Sequence, residues 1–223
     1  MNVFLFISAA AAAYLVCGVN PAIILSKAAY HKDIRSEGSG NPGFTNFKRV
    51  FGWKLAWVVL FADILKSLLP CLVFGLLFER FLGIYQIGVA YTGFFSMLGH
   101  AYPVWYHFKG GKAFLVGAGV VWMLDWRVGV VVTIIFAFFL FVIKYMSLAS
   151  IVAAISCPIT LAIVGFSHPS VLIFCILGSA LLIWRHKANI ARLANGTESK
   201  FSLFSSNKKS PAVETADADD AVK

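Results

Sequence analysis

Val128-Gly129-Val130-Val131-Val132-Thr133-Ile134-Ile135-Phe136-Ala137-Phe138-Phe139-Leu140-Phe141-Val142-Ile143 runs without a single charge, and its only polar side chain is Thr133. Lipid offers backbone N–H and C=O groups no partners, so a stretch like this crosses a bilayer as a helix. Working outward from it, seven apolar segments mark the chain, at 3–25, 55–77, 84–106, 113–125, 128–145, 148–166 and 169–184. The fourth is short for a crossing. Only the tight polar turn Asp125-Trp126-Arg127 parts it from the fifth. The sixth contains Pro158, which a membrane helix tolerates where neighbours re-satisfy the freed carbonyl. The pattern predicts an all-α polytopic membrane protein, a single bundle of seven transmembrane helices.

Composition agrees. The chain has 223 residues, of which 60% are hydrophobic and only 13% charged, and its mean hydropathy is +0.82. A soluble domain carries about twice that share of charge. The net charge of +9 is spread by topology rather than gathered on one element. That excludes a nucleic-acid partner and points to anionic lipid heads instead. Cys17, Cys71, Cys157 and Cys175 all lie in apolar stretches without metal spacing, so they read as small buried hydrophobes, with neither disulfide nor zinc expected. Ala9 to Ala13 resembles the end of a signal peptide, but the apolar run continues to Leu25, which predicts an uncleaved first helix.

Orientation follows from Lys and Arg. In a seven-helix arrangement the loop 26–54, the loop holding Lys109 and Lys112, the turn at Lys144 and the tail fall on one side with sixteen cations. The other side holds Arg80 and Arg127, and Lys66 lies within the second segment. The N-terminus is therefore expected outside and the C-terminus in the cytoplasm. Residues 1–200 form one membrane domain in this scheme. Residues 201–223, poor in apolar side chains, are expected to be a disordered cytoplasmic tail.

Four polar clusters converge on the cytoplasmic face. The first is Gly38-Ser39-Gly40-Asn41-Pro42-Gly43-Phe44-Thr45-Asn46, followed by Lys48 and Arg49. Glycines let backbone N–H groups close on an anion. Ser39, Asn41, Thr45 and Asn46 add donors and Arg49 adds charge. The second is Gly99-His100, then Lys109-Gly110-Gly111-Lys112, a further anion loop that is not a Walker A motif because Ala113 follows Lys112. The third holds Ser147 and Ser150. The fourth holds His186 and Asn189, three apart and so on one helix face, followed by Asn195-Gly196-Thr197-Glu198. Asp63 and Lys66 share a face of the second segment. Ionisable residues at that depth form a structural ion pair or support a site. His31, His107 and His168 have no partner pattern and are read as structural.

These clusters, in this order, resemble the bacterial acyl-phosphate:glycerol-3-phosphate acyltransferases. The first motif of that family, G-S-G-N-x-G-A-T-N-x-x-R, matches Gly38 to Arg49 except at Phe44, and its preceding D-I-R matches Asp33-Ile34-Arg35. G-H-x-x-P and F-K-G-G-K match Gly99, His100, Pro103 and Phe108 to Lys112. S-L-x-S-I matches Ser147 to Ile151, and H-x-x-N-I-x-R-L-x-x-G-x-E matches His186 to Glu198. The resemblance spans about residues 14 to 200. It implies a multi-pass inner-membrane enzyme of seven helices, with its active site facing the cytoplasm. Such an enzyme moves a fatty acyl group from acyl phosphate to the 1-position of glycerol 3-phosphate, giving lysophosphatidic acid. It also implies site roles for Ser39, Thr45, Arg49, Lys109, Lys112, Ser147, Ser150, His186 and Asn189. The chain departs from the family at Phe44 (for alanine), at Ala113-Phe114-Leu115-Val116 (for smaller residues), at Ser67 (for glycine) and at Val19-Asn20, where a serine is missing.

Acyl phosphate is already activated, so the enzyme need only hold two anions and align a hydroxyl with a carbonyl. His186 is the candidate base with Asn189 orienting it, and the donor's own phosphate is the alternative proton acceptor. No residue five positions after any histidine is aspartate, which disfavours the H-x4-D acyltransferases. The expected partners are acyl phosphate, glycerol 3-phosphate and membrane lipid, with no metal or other cofactor required. A small anion or lipid-phosphate transporter, and a family member with altered acceptor, are the competing readings.

Overall fold

A computed structural model describes residues 2–202. The expected disordered tail, apart from 201 and 202, lies outside the described residues. Ten α-helices follow one another, with no strand among the described residues. They are α1 Asn2–Gly18, α2 Pro21–Tyr30, α3 Phe44–Phe51, α4 Ala56–Leu82, α5 Tyr85–Ala101, α6 Phe114–Leu124, α7 Trp126–Phe138, α8 Met146–Val164, α9 Pro169–Arg185 and α10 Lys187–Ala194. A π turn, Phe139–Ile143, carries α7 onward.

All seven apolar segments are helical, but three boundaries differ from the expectation. The first segment is two helices. Asn20 stands extended before Pro21, a residue whose ring disfavours helical geometry in its predecessor. The Asn20 side chain caps α2 by accepting from Ile23 N, a bond worth about 1 kcal/mol. The third segment stops at Ala101, before Pro103, and resumes as the 3₁₀ turn Val104–Tyr106. The second runs on to Leu82, past its expected end at 77, while the last ends at Arg185 as α9, and α10 follows it at a 57° bend.

By length and composition four described stretches suffice to cross a membrane: Asn2–Tyr30, Ala56–Leu82, Trp126–Ile143 and Met146–Val164. The bent α9–α10 pair makes a fifth if taken as one span. The other two segments of the seven are shorter. At 11 residues, α6 extends about 16 Å, against a hydrocarbon thickness of about 30 Å.

Packing follows membrane rules. Large apolar side chains face outward, as Ile163 does at 81% exposure, while small residues let helices approach. A Cβ at Gly99 would meet the Tyr14 backbone oxygen, so only glycine lets α5 lie this close to α1. Pro70, inside α4, cannot bond the Lys66 carbonyl four residues back, and the Cys17 thiol donates to that carbonyl at 3.1 Å instead. The main core joins α4 through α9 around Cys71, Val89, Val120, Val128 and Leu161. A second core, of Ile23, Ile34, Phe47 and Val59, seats the glycine loop and α3 on α2 and α4. The three histidines read as structural prove to be helix-end residues. His31 and His107 close helices in the left-handed region, and His168 caps α9 by accepting from Ser170 N.

Candidate active site

The glycine loop is shaped from within. Asp33 accepts from Arg35 N and pairs with the Arg35 guanidinium at 2.7 Å. That bond holds the Asp33 carboxyl well below the usual carboxylate range. Asn46 is buried and fully engaged: its amide donates to the Glu37 and Ile34 carbonyls and its oxygen accepts from Ser39 N. Asn20 fastens the loop to the α1–α2 break by donating to the Pro42 carbonyl at 3.0 Å. Gly38 and Gly40 turn through positive φ. The loop delivers Gly43 in extended geometry at the start of α3, where no side chain caps the helix. The first N–H groups of α3 are therefore open to an anion.

This helix start, Ser39, Asn41, Thr45 and Arg49 form one wall of a cleft of about 570 Å³. Lys112, Ser147, Ser150, His186 and Asn189 line it as well, as do the buried Asp63 and His100. Helices α3, α8 and α10 and the loop before α6 thus bring most of the expected site residues together.

Four expected residues stand elsewhere. Lys109 is exposed and does not line the cleft. Gly110 and Gly111 do not cradle a ligand. Their carbonyls accept from the Arg185 guanidinium at 2.8 and 3.0 Å, and Gly111 N donates to the His100 carbonyl. A Cβ at Gly111 would meet the His100 ring. These glycines are there because the loop packs on His100 and is clamped by Arg185, which aims Lys112 inward. Gly40 N–H is likewise engaged, with the Glu37 carbonyl. Asn46 lines the cleft, but as a staple of its own loop.

Lys112 Nζ donates to Asn189 Oδ1 at 2.5 Å. Asn189 Nδ2 donates to Glu198 Oε1 at 2.7 Å, and Ser147 Oγ donates to the same oxygen at 2.6 Å. Arg192 Nε donates to Glu198 Oε2 at 2.7 Å. Burial opposes the charge on Glu198, but these three donors hold its carboxyl below the usual range. Burial pushes Lys112 down to about 8; Glu198 resists the shift, while Arg192, Arg185 and Arg49 add to it.

His186 sits at the α9–α10 bend. Its Nδ1 lies 2.8 Å from the Leu182 carbonyl. A carbonyl only accepts, so Nδ1 carries the proton and Nε2 presents a lone pair. The expected orienter, Asn189, bonds Lys112 and Glu198 instead, and the Leu182 carbonyl holds the ring. Burial pushes the imidazole down to about 4. The Leu182 bond and Glu198 oppose this shift, and Lys112 and Arg185 reinforce it. His186 is therefore neutral at physiological pH.

Glu198 was not among the expected site residues. It stood in the sequence at the end of the fourth polar cluster and as the last letter of a motif, four residues beyond α10, with no role assigned to it. It reaches the cleft because the chain folds back, with Phe201 N donating to the Lys144 carbonyl and Lys48 Nζ to the Ser202 carbonyl, both at 2.6 Å. Asp63 pairs with Lys66 at 2.9 Å, and Lys66 also donates to the Val19 carbonyl, tying the helix break of the first segment to α4. Among the described residues no group of three His, Cys, Asp or Glu could hold a metal ion.

The sequence matches the glycerol-3-phosphate acyltransferase family over residues 7–196. A glycerol-3-phosphate acyltransferase of Pseudomonas paraeruginosa is 36% identical over 189 residues, covering 85% of this chain and 96% of the relative. Its counterpart in Coxiella burnetii is 34% identical over 198 residues, covering 89% and 99%. The fold is similar to crystal structures of PlsY (YgiH), an integral membrane glycerol 3-phosphate acyltransferase. The glycerol 3-phosphate form gives a TM-score of 0.78 at 37% identity, covering 90% of this chain and 95% of that one. The lysophosphatidic acid form gives 0.75 at 35% identity, with the same coverage.

Proposed function

Because the chain belongs to the glycerol-3-phosphate acyltransferase family, we propose that it transfers a fatty acyl group from acyl phosphate to the 1-position of glycerol 3-phosphate. The products are lysophosphatidic acid and phosphate. The observation that carries this reading is the cleft itself. It places two cations, Arg49 and Lys112, and an uncapped helix start around a neutral His186 whose Nε2 is free to accept a proton.

In this mechanism Arg49, Thr45, Ser39 and the α3 N–H groups hold one phosphate, and Lys112 holds the other, while Ser147 keeps its hydroxyl proton on Glu198. The 1-hydroxyl of glycerol 3-phosphate attacks the acyl carbonyl. The new ester C–O bond forms, the carbonyl carbon's bond to the phosphate oxygen breaks, and the hydroxyl proton passes to His186 Nε2 or to the departing phosphate. Lys112 and the helix start offset the oxyanion that develops. Two dianions meeting in one cleft need this density of positive charge, and holding the reactants together supplies about 7–11 kcal/mol of the barrier.

Residues 1–200 are read as one membrane acyltransferase domain of seven passes in the inner membrane. Its N-terminus is outside and the cleft opens to the cytoplasm, a placement supported by the Lys and Arg asymmetry. The test is purified protein in detergent with acyl phosphate and glycerol 3-phosphate, following phosphate and lysophosphatidic acid. Product that requires both substrates and disappears in Arg49→Ala is the expected result. No product from folded protein overturns the reading.

A further inference from the structure

The four cysteines look alike in the sequence, but the fold separates them into two kinds. Cys17 Sγ is engaged with the Lys66 carbonyl, and Cys71 is sealed in the main core. Cys157 of α8 and Cys175 of α9 instead face each other, with 3.1 Å between their sulfurs. Both are free thiols, one donating its S–H to the other. Because α8 ends at Val164 and α9 begins at Pro169, the pair lies about 10 Å inside the hairpin that these helices form. Cys157 is buried and Cys175 only half-buried. Ile176 and Leu177, next to Cys175 on α9, are exposed apolar side chains, so this surface faces lipid in a membrane. Both thiols also line, with Phe94 and Phe174, an apolar cavity of about 230 Å³. A dry cavity of about 150 Å³ accepts benzene, so this one admits a six-membered ring.

We propose that Cys157 and Cys175 are a reversible redox pair, closed to a disulfide by a lipid-soluble quinone. Two S–H bonds break and one S–S bond forms. The two electrons and two protons pass to the quinone, which leaves as the hydroquinone. An S–S bond is about 2.0 Å long, so the sulfurs need to approach by only about 1 Å. The surroundings select the oxidant. A strongly hydrated one must shed its water to reach this depth, whereas an apolar ring meets only apolar side chains and the two thiols. Closure ties α8, which carries Ser147 and Ser150, to α9, whose Leu182 carbonyl holds the His186 ring.

The experiment places the full chain, reduced, in lipid vesicles and adds decylubiquinone, whose ring carries no hydrogen for a thiol to replace. After denaturation the free thiols are alkylated and counted by mass spectrometry. The expected result is a fall from four free thiols to two, with a linked peptide joining Cys157 to Cys175. Dithiothreitol is expected to restore all four. Cys157→Ala is expected to lose no thiol on the same treatment. Four thiols after treatment of the unmodified chain overturn the proposal, and so does a link made through Cys17 or Cys71. Closure by hydrogen peroxide in the water phase but not by the quinone also overturns it, because the lipid route is then not the one used. The readout is thiol chemistry alone. Its failure leaves the acyltransferase reading standing, and a protein without turnover can still show the pair.

Discussion

Lys112 Nζ donates to Asn189 Oδ1 at 2.5 Å across 77 residues of sequence. This bond joins the loop before α6 to α10, and it separates the two lysines of the Phe108–Lys112 motif. Lys112 enters the cleft and Lys109 points away from it. Lys112→Ala is expected to lower kcat/KM about 10²–10³-fold, the usual loss for a charge-stabilising donor. Lys109→Ala is expected to change it less than about threefold by the same measure. Steady-state kinetics of the two variants checks this, and equal losses would remove Lys112 from its special place.

The same burial predicts an alkaline limit to activity. Lys112 is held down to about 8, so its charge is complete well below that pH and is lost as pH rises through it. Turnover is expected to fall on the alkaline side of about 8 in a pH profile of kcat/KM. Lys112→Arg, whose charge does not titrate in this range, is expected to remove that limb even where its overall rate is lower.

His186, held down to about 4, is neutral across the physiological range, although the same burial makes it a weaker proton acceptor than a free imidazole. His186→Ala is expected to reduce turnover about 10²–10⁴-fold with little loss of folded protein. Near-normal turnover would exclude His186 as an essential base and assign the proton to the departing phosphate.

Glu198 holds Ser147, Asn189 and Arg192 together. Glu198→Ala leaves these donors unpaired in a half-closed space, a loss of about 3 kcal/mol. Thermal unfolding in detergent is expected to shift down by about 6–12 °C, with activity falling alongside. Glu198→Gln keeps the shape and one acceptor oxygen, so its shift is expected to be smaller. Equal midpoints for Glu198→Ala and unmodified protein would mean that the fold-back of the chain is not held here.

Topology is tested by accessibility. In a variant lacking the four native cysteines, Ser36→Cys is expected to react with an impermeant thiol reagent only when the cytoplasmic face is opened. Arg80→Cys, in the last turn of α4, is expected to react from outside. The reverse pattern would invert the proposed orientation.

The sequence by itself determined the class of the fold and offered most of the residues that line the cleft. In a membrane a run such as 128–143 has one way to satisfy its backbone, so hydropathy, a local property, suffices to place helices. The motifs, read in order, named the family and most of the residues that meet in the cleft. Only the tertiary structure decided which of these groups face the cleft and which are engaged elsewhere. Nothing local distinguishes Lys109 from Lys112, because the choice depends on Arg185 clamping Gly110 and Gly111 from another helix. Asn46 was legible as a donor, but not as a donor already engaged by its own loop. Asn189 lay three residues from His186 on one helix face, yet a carbonyl one turn earlier holds the imidazole. Glu198 enters the site through a partner 51 residues away in Ser147. Such contacts depend on how helices pack and where the chain folds back. Those distances between remote side chains are set by the whole bundle at once, and no window of sequence contains them.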